Sequence, residues 1–154
     1  MQPVFFTSVI SKKHRDDFER IMFFHSQQNQ FTEQITHVIN TFGFPTIIES
    51  GDALRIVIAG LEDCQTLAAY DSEDDDAVLL GVIVYYRKSV EEVVVLHVAV
   101  AEECTSKGEY AEEMIALRLL SRLRDEMKRL KGVMYISIAY SGDPQKLSKI
   151  PIID

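Results

Sequence analysis

The chain has 154 residues, with 16 Lys and Arg against 24 Asp and Glu, a net charge of −8, and a composition 47% hydrophobic and 26% charged. These values fit one soluble globular domain spanning residues 1–154 and exclude a disordered, collagenous or disulfide-built chain. Net negative charge works against polyanionic ligands, so neither nucleic acid nor an anionic membrane is expected as a partner.

Residues 3–10 alternate loosely through Val, Phe, Thr and Ile, which predicts a first strand. Ser11 offers an N-cap, and Phe18, Ile21, Met22 and His25 then fall on one face of a helix. After the polar Gln27–Gln30, Phe31, Ile35, Val38, Ile39 and Phe42 predict a second helix that ends at Gly43, with Pro45 preventing its resumption. Leu54–Gly60, Gln65–Tyr70, Val78–Arg87 and Val93–Ala101 read as strands joined by short polar breaks, hence as antiparallel hairpins. The last two are almost continuously apolar, so both faces are expected to be buried.

The longest helix is predicted over Ser106–Lys131. Tyr110, Met114, Leu117, Leu120, Leu123, Met127 and Leu130 make its apolar stripe, with acids in the first turns, bases in the last, and Gly132 as the stop. Val133–Ala139 reads as a further strand, and Pro144 and Pro151 limit the tail to one helical turn and an extended end. The fold class is therefore α+β, with a mixed, mainly antiparallel central sheet and helices on both faces in a three-layer arrangement.

Charge is unevenly placed: residues 49–113 hold 16 acids and four bases (Arg55, Arg87, Lys88, Lys107), a balance of −12, and the remainder balances at +4. Cys64 and Cys104 have no CxxC spacing and read as reduced thiols. The N-terminus has no basic n-region and its apolar run breaks at Lys12 and Lys13, so a cytoplasmic protein is expected. His14, His25 and His37 form no metal-binding pair. The acidic run Asp71–Asp76 lacks the ligand spacing of a calcium loop and reads as a solvated hairpin loop.

The order of strand, two helices, antiparallel strands, long helix and strand resembles the GCN5-related N-acetyltransferase (GNAT) fold. The closest local likeness is Leu79–Arg87, then Val94–Val100, then Ala101-Glu-Glu-Cys-Thr-Ser-Lys-Gly108 leading into the long helix. In that family a Val-x-Pro-x-x-Arg/Gln-Gly-x-Gly loop holds the pyrophosphate of acetyl-CoA on free amides at a helix N-terminus. The resemblance implies acetyl-CoA as cofactor, with Val98, Val100, Thr105, Ser106, Lys107 and Gly108 as its contacts. The motif's proline position is Glu102, its Arg/Gln position Thr105 and its first glycine Ser106, while Val100 and Gly108 match. Ser106 adds a Cβ where backbone meets phosphate, and Glu109, Glu112 and Glu113 bring negative charge to the same turns.

His97, inside the strand bordering the cleft that the family uses, is the candidate base, and Tyr140 is the nearest phenol to the family's leaving-group acid. Two readings follow. One is an acetyl-CoA-dependent N-acetyltransferase acting by direct transfer on a cationic amine of a small molecule or peptide, which the acidic segment would attract. The other is a GNAT-like domain without catalysis that acts through protein contacts, as a homodimer or binding module; the departures in the loop and the short segment after Ser141 point that way.

Overall fold

The computed structural model describes residues 3–23, 39–61, 63–101, 114–138 and 148–151. Within them the fold is mixed α+β with a mainly antiparallel sheet. The strands are β1 (Phe5–Thr7), β2 (Ile10–Ser11), β3 (Pro45–Ser50), β4 (Ala53–Ile58), β5 (Gln65–Tyr70), β6 (Leu79–Arg87), β7 (Glu92–Val100), β8 (Tyr135–Ile138) and β9 (Ser148–Pro151). The helices are α1 (Arg15–Phe23) and α2 (Ile115–Met127). Six strands form one sheet in the order β1-β5-β6-β7-β8-β9, and three form a second in the order β2-β4-β3. Only the β7–β8 pair is parallel among those described.

The strand expected over residues 3–10 divides between the two sheets. β1 pairs with β5 and β2 pairs with β4, with the Val9 N–H donating to Thr7 Oγ1 at the break. Lys12–His14 then form a 3-10 turn, and Ser11 makes no side-chain cap bond to it. In α1 the predicted face is the buried one: Phe18, Ile21 and Met22 join the core. Residues 39–42 are helical and stop where expected, because Gly43 takes φ +109° and donates its N–H to the Ile39 carbonyl. The rest of the second predicted helix, with His25 and His37, lies outside the described residues.

β3 has no counterpart in the sequence reading. Its hairpin with β4 turns on Gly51, at φ +63°, and Asp52. Glycine adopts that backbone without Cβ strain, so the Gly-Asp step between two alternating runs was the available signal. The acidic run 71–76 does join two antiparallel strands, β5 and β6, and Asp71 Oδ1 accepts the Val78 N–H inside that loop.

Leu79–Val84 of β6 and Val93–Leu96 of β7 are buried without alternation, so both faces of these central strands are covered. On one face α2 packs through Ile115, Leu119, Leu123 and Met127. Gly81 permits this approach, since a Cβ there would lie 2.9 Å from Leu119 Cδ1 and 3.1 Å from Ile115 Cγ2. The predicted long helix is not continuous: Met114, at φ 52° and ψ 49°, is left-handed, and α2 begins after it. Residues 106–113 lie outside the described residues. Where β7 and β8 begin their pairing, the buried Ser137 hydroxyl donates to the buried Glu92 carboxylate.

Candidate functional site

The chain β7–α2–β8 makes a crossover between parallel neighbours inside an otherwise antiparallel sheet. Ligands of open sheets collect outside the carboxyl ends of strands at such changes of direction, because the connections diverge there. The β7–β8 ladder runs from Glu92 opposite Tyr135 to Val95 opposite Ile138, covering the first part of β7. On its other edge β7 continues along β6 as far as Val100 opposite Gly81.

A β-bulge sits at the same level. Val84 faces His97 while Tyr85 faces Val95, which leaves Leu96 as the extra residue of β7. Such an insertion bends its strand and increases its local twist.

Hydrogen-bond alternation then assigns the free edge. The Ala101 N–H donates to the Leu80 carbonyl at 2.8 Å. In an antiparallel ladder alternate residues bond to the same neighbour, so Ala99 also turns its backbone groups to β6. Val98 and Val100 turn theirs to the opposite edge, where no strand pairs with them among the described residues. Both side chains are half-buried and share the Gly81 face, beneath α2.

His97 lies opposite Val84 and therefore on the face away from α2. It is 5% exposed, and burial pushes its imidazole down to about 4. The ring is thus neutral at neutral pH and a weaker base than an unperturbed histidine. Thr105, Ser106, Lys107, Gly108 and Tyr140 lie outside the described residues.

Comparison of the chain with protein families, curated proteins and solved structures finds no match.

A second concave region lies apart from the β7 edge. A cleft of about 530 Å³ is lined by β1, the 3-10 turn, the end of β5, the acidic loop and Arg122 of α2. It brings together His14 and Tyr70, whose rings stand 5.0 Å apart. No spacing in the sequence joins these two residues; only the strand pairing of β1 with β5 does so. Among the described residues no group of three or more His, Cys, Asp or Glu is placed to hold a metal ion. Among them, too, no helix is long and apolar enough to cross a membrane.

Proposed function

We propose that the chain is a GNAT-like acyltransferase that uses acetyl-CoA to acetylate an amine, with the central sheet covered by helices on both faces. One observation carries this reading: past the Leu96 bulge, Val98 and Val100 turn their backbone groups away from β6, to an edge where no strand pairs with them among the described residues. An extended amide-containing chain can add to such an edge as a further strand, through main-chain hydrogen bonds. The pantetheine arm of acetyl-CoA has two amides along a narrow chain, so its chemistry fits the edge. Val98 and Val100 would hold that arm by their N–H and C=O groups, with their side chains forming an apolar wall under α2.

Lys107, Gly108 and the amides of Thr105 and Ser106 would meet the pyrophosphate. When bound, the cofactor supplies an acyl group activated as a thioester. His97 is neutral and buried, so it fits an orienting or packing role near the edge better than that of a strong base. The −12 balance of residues 49–113 favours a cationic amine as acceptor, since complementary potential raises encounter rates.

Titration calorimetry with acetyl-CoA tests the reading. Saturable binding that competes with free CoA, followed by acetyl transfer to a panel of small amines and basic peptides, is the expected result. No heat at millimolar acetyl-CoA would overturn it. Binding without transfer would leave the fold's edge occupied and favour the non-catalytic alternative, a binding module whose loop departs from the family at Glu102 and Ser106.

A further inference from the structure

At the end of β6 away from the acidic loop, two turns are built into one surface. Residues 88–91 join β6 to β7, and residues 128–134 join α2 to β8. Arg87 ties the turns together. Its Nη2 donates to the Val90 carbonyl at 2.8 Å and to the Lys131 carbonyl at 2.9 Å, and its Nε to the Ser89 carbonyl at 3.3 Å. The Met134 N–H donates to the Glu91 carbonyl at 2.7 Å. Gly132, at φ +92°, lets the turns meet, since a Cβ there would lie 2.6 Å from Val90 Cγ1. Fixed in this way, the two turns present a preformed face, and a partner meets little ordering cost in the backbone beneath it.

That face combines two kinds of side chain. Val90, Met134 and Leu130 are 66%, 49% and 41% exposed, large apolar groups left in water. Arg87, Lys88, Lys128, Arg129 and Lys131 stand on the same two turns, all exposed, with Glu91 as the turns' one acid. Lys128 lies 3.9 Å from Asp125. No carboxylate lies within ion-pair distance of Arg87, Lys88, Arg129 or Lys131 among the described residues. Residues 87–91 and 128–134 together carry five bases and one acid, a balance of +4 in a chain of −8. The acidic loop 71–76 precedes β6, so the strand's extended rise puts it about 27 Å away, several times the Debye length of about 8 Å at physiological ionic strength.

We propose that this face docks on an anionic membrane surface, with Val90, Leu130 and Met134 entering the headgroup region and the cations meeting lipid anions. A bilayer interface offers an apolar and an anionic layer side by side, so it satisfies both kinds of side chain at once. Nucleic acid would meet the cations and leave the three apolar groups in water, and a purely apolar partner would strand the charges. The total charge of −8 argues against an anionic surface for the molecule taken as a whole, but the face that makes contact is positive. It stands at the start of β7, at the opposite end of that strand from Val98 and Val100. The proposal therefore holds whether or not acetyl-CoA binds.

Co-sedimentation with vesicles tests the assignment. At low salt the protein should bind phosphatidylcholine vesicles containing about one-third phosphatidylserine, should ignore pure phosphatidylcholine, and should weaken as salt is raised. Lys88→Gln, Arg129→Gln and Lys131→Gln together should weaken binding about hundredfold, since each cation at an anionic leaflet is worth about fivefold. Val90→Ser with Met134→Ser should weaken it about tenfold, by a factor that salt leaves unchanged. All five side chains are exposed, so urea midpoints of both variants should stay at the wild-type value. Polyglutamate is the soluble comparison: equal affinity for it in the wild type and the Val90→Ser, Met134→Ser variant, with release of the protein from vesicles, would assign the face to an acidic protein and overturn the lipid proposal. No binding to the phosphatidylserine vesicles at low salt, equal binding to neutral vesicles, or unchanged binding in either variant would overturn it as well.

Discussion

Proline scanning of adjacent positions on β7 tests the edge directly. Ala99 bonds to β6, so Ala99→Pro removes a ladder donor and leaves the Val82 carbonyl unpaired in a buried strand. That change should cost about 3 kcal/mol, or roughly 6–12 °C in melting temperature for a domain of this size. Val98 points its N–H away from β6, to an edge where no described strand pairs with it, so Val98→Pro loses no bond to β6 and keeps a side chain of similar bulk. Its stability cost should be near 1 kcal/mol, within the range of an edge-strand proline. Acetyl-CoA, if held by that N–H, should bind about fivefold more weakly, the worth of one hydrogen bond. Urea unfolding and acetyl-CoA titration on the same two proteins give all the quantities. Equal destabilisation by the two prolines would refute the edge assignment, and unchanged acetyl-CoA affinity in Val98→Pro would remove the edge from the binding site.

Other consequences can be measured separately. Because the His97 pKa is lowered to about 4 from 6.5, the folded state binds fewer protons than the unfolded state between those values. Stability should therefore fall by about 3 kcal/mol as pH drops from above 6.5 to 4, and urea midpoints of His97→Gln should show a smaller fall. Met114→Gly should raise stability by about 1 kcal/mol, because glycine takes a left-handed backbone at no Cβ cost; a loss in chemical denaturation would contradict that geometry. Ser137→Ala removes a donor to the buried Glu92 carboxylate and should destabilise by about 2–3 kcal/mol, with Ser137→Thr partly restoring it. Cys64, pushed up to about 11 by burial and Asp63, should react with iodoacetamide about a hundredfold more slowly at pH 8 than an unperturbed thiol, read by peptide mass spectrometry.

The long buried strands were legible because their composition allows little else: Leu79–Arg87 and Val93–Val100 are β-branched, apolar and bounded by polar turns. Gln65–Tyr70 and the stop at Gly43 were legible for equally local reasons. β3 was missed because Pro45 and the exposed positions Thr46 and Ile48 mask its alternation, which becomes visible only in register with β4. The division of the first strand between two sheets was illegible, since β1 and β2 are chosen by distant partners. At the candidate site, Val98 and Val100 entered through the resemblance to the acetyltransferase family. Their outward-facing backbone depends on an extra residue at Leu96, and a bulge inside a uniformly apolar run leaves no mark on hydropathy. The meeting of His14 with Tyr70 is likewise a product of strand pairing.

The one parallel ladder among the described strands also bears on how the chain assembles. Hairpins such as β3–β4, β5–β6 and β6–β7 join near neighbours and close quickly, whereas β8 reaches β7 only after the intervening crossover has been made. During synthesis the whole outer edge of β7 therefore waits for a segment translated later. Its clasp with β8, fastened at Glu92 and Ser137, is a late seam in this scheme, followed among the described residues by the addition of β9 to β8. A small molecule seated along Val98–Val100 would extend that seam and slow its reopening, so the nascent chain's kinetic vulnerability and the mature protein's receptivity would arise from the same strand.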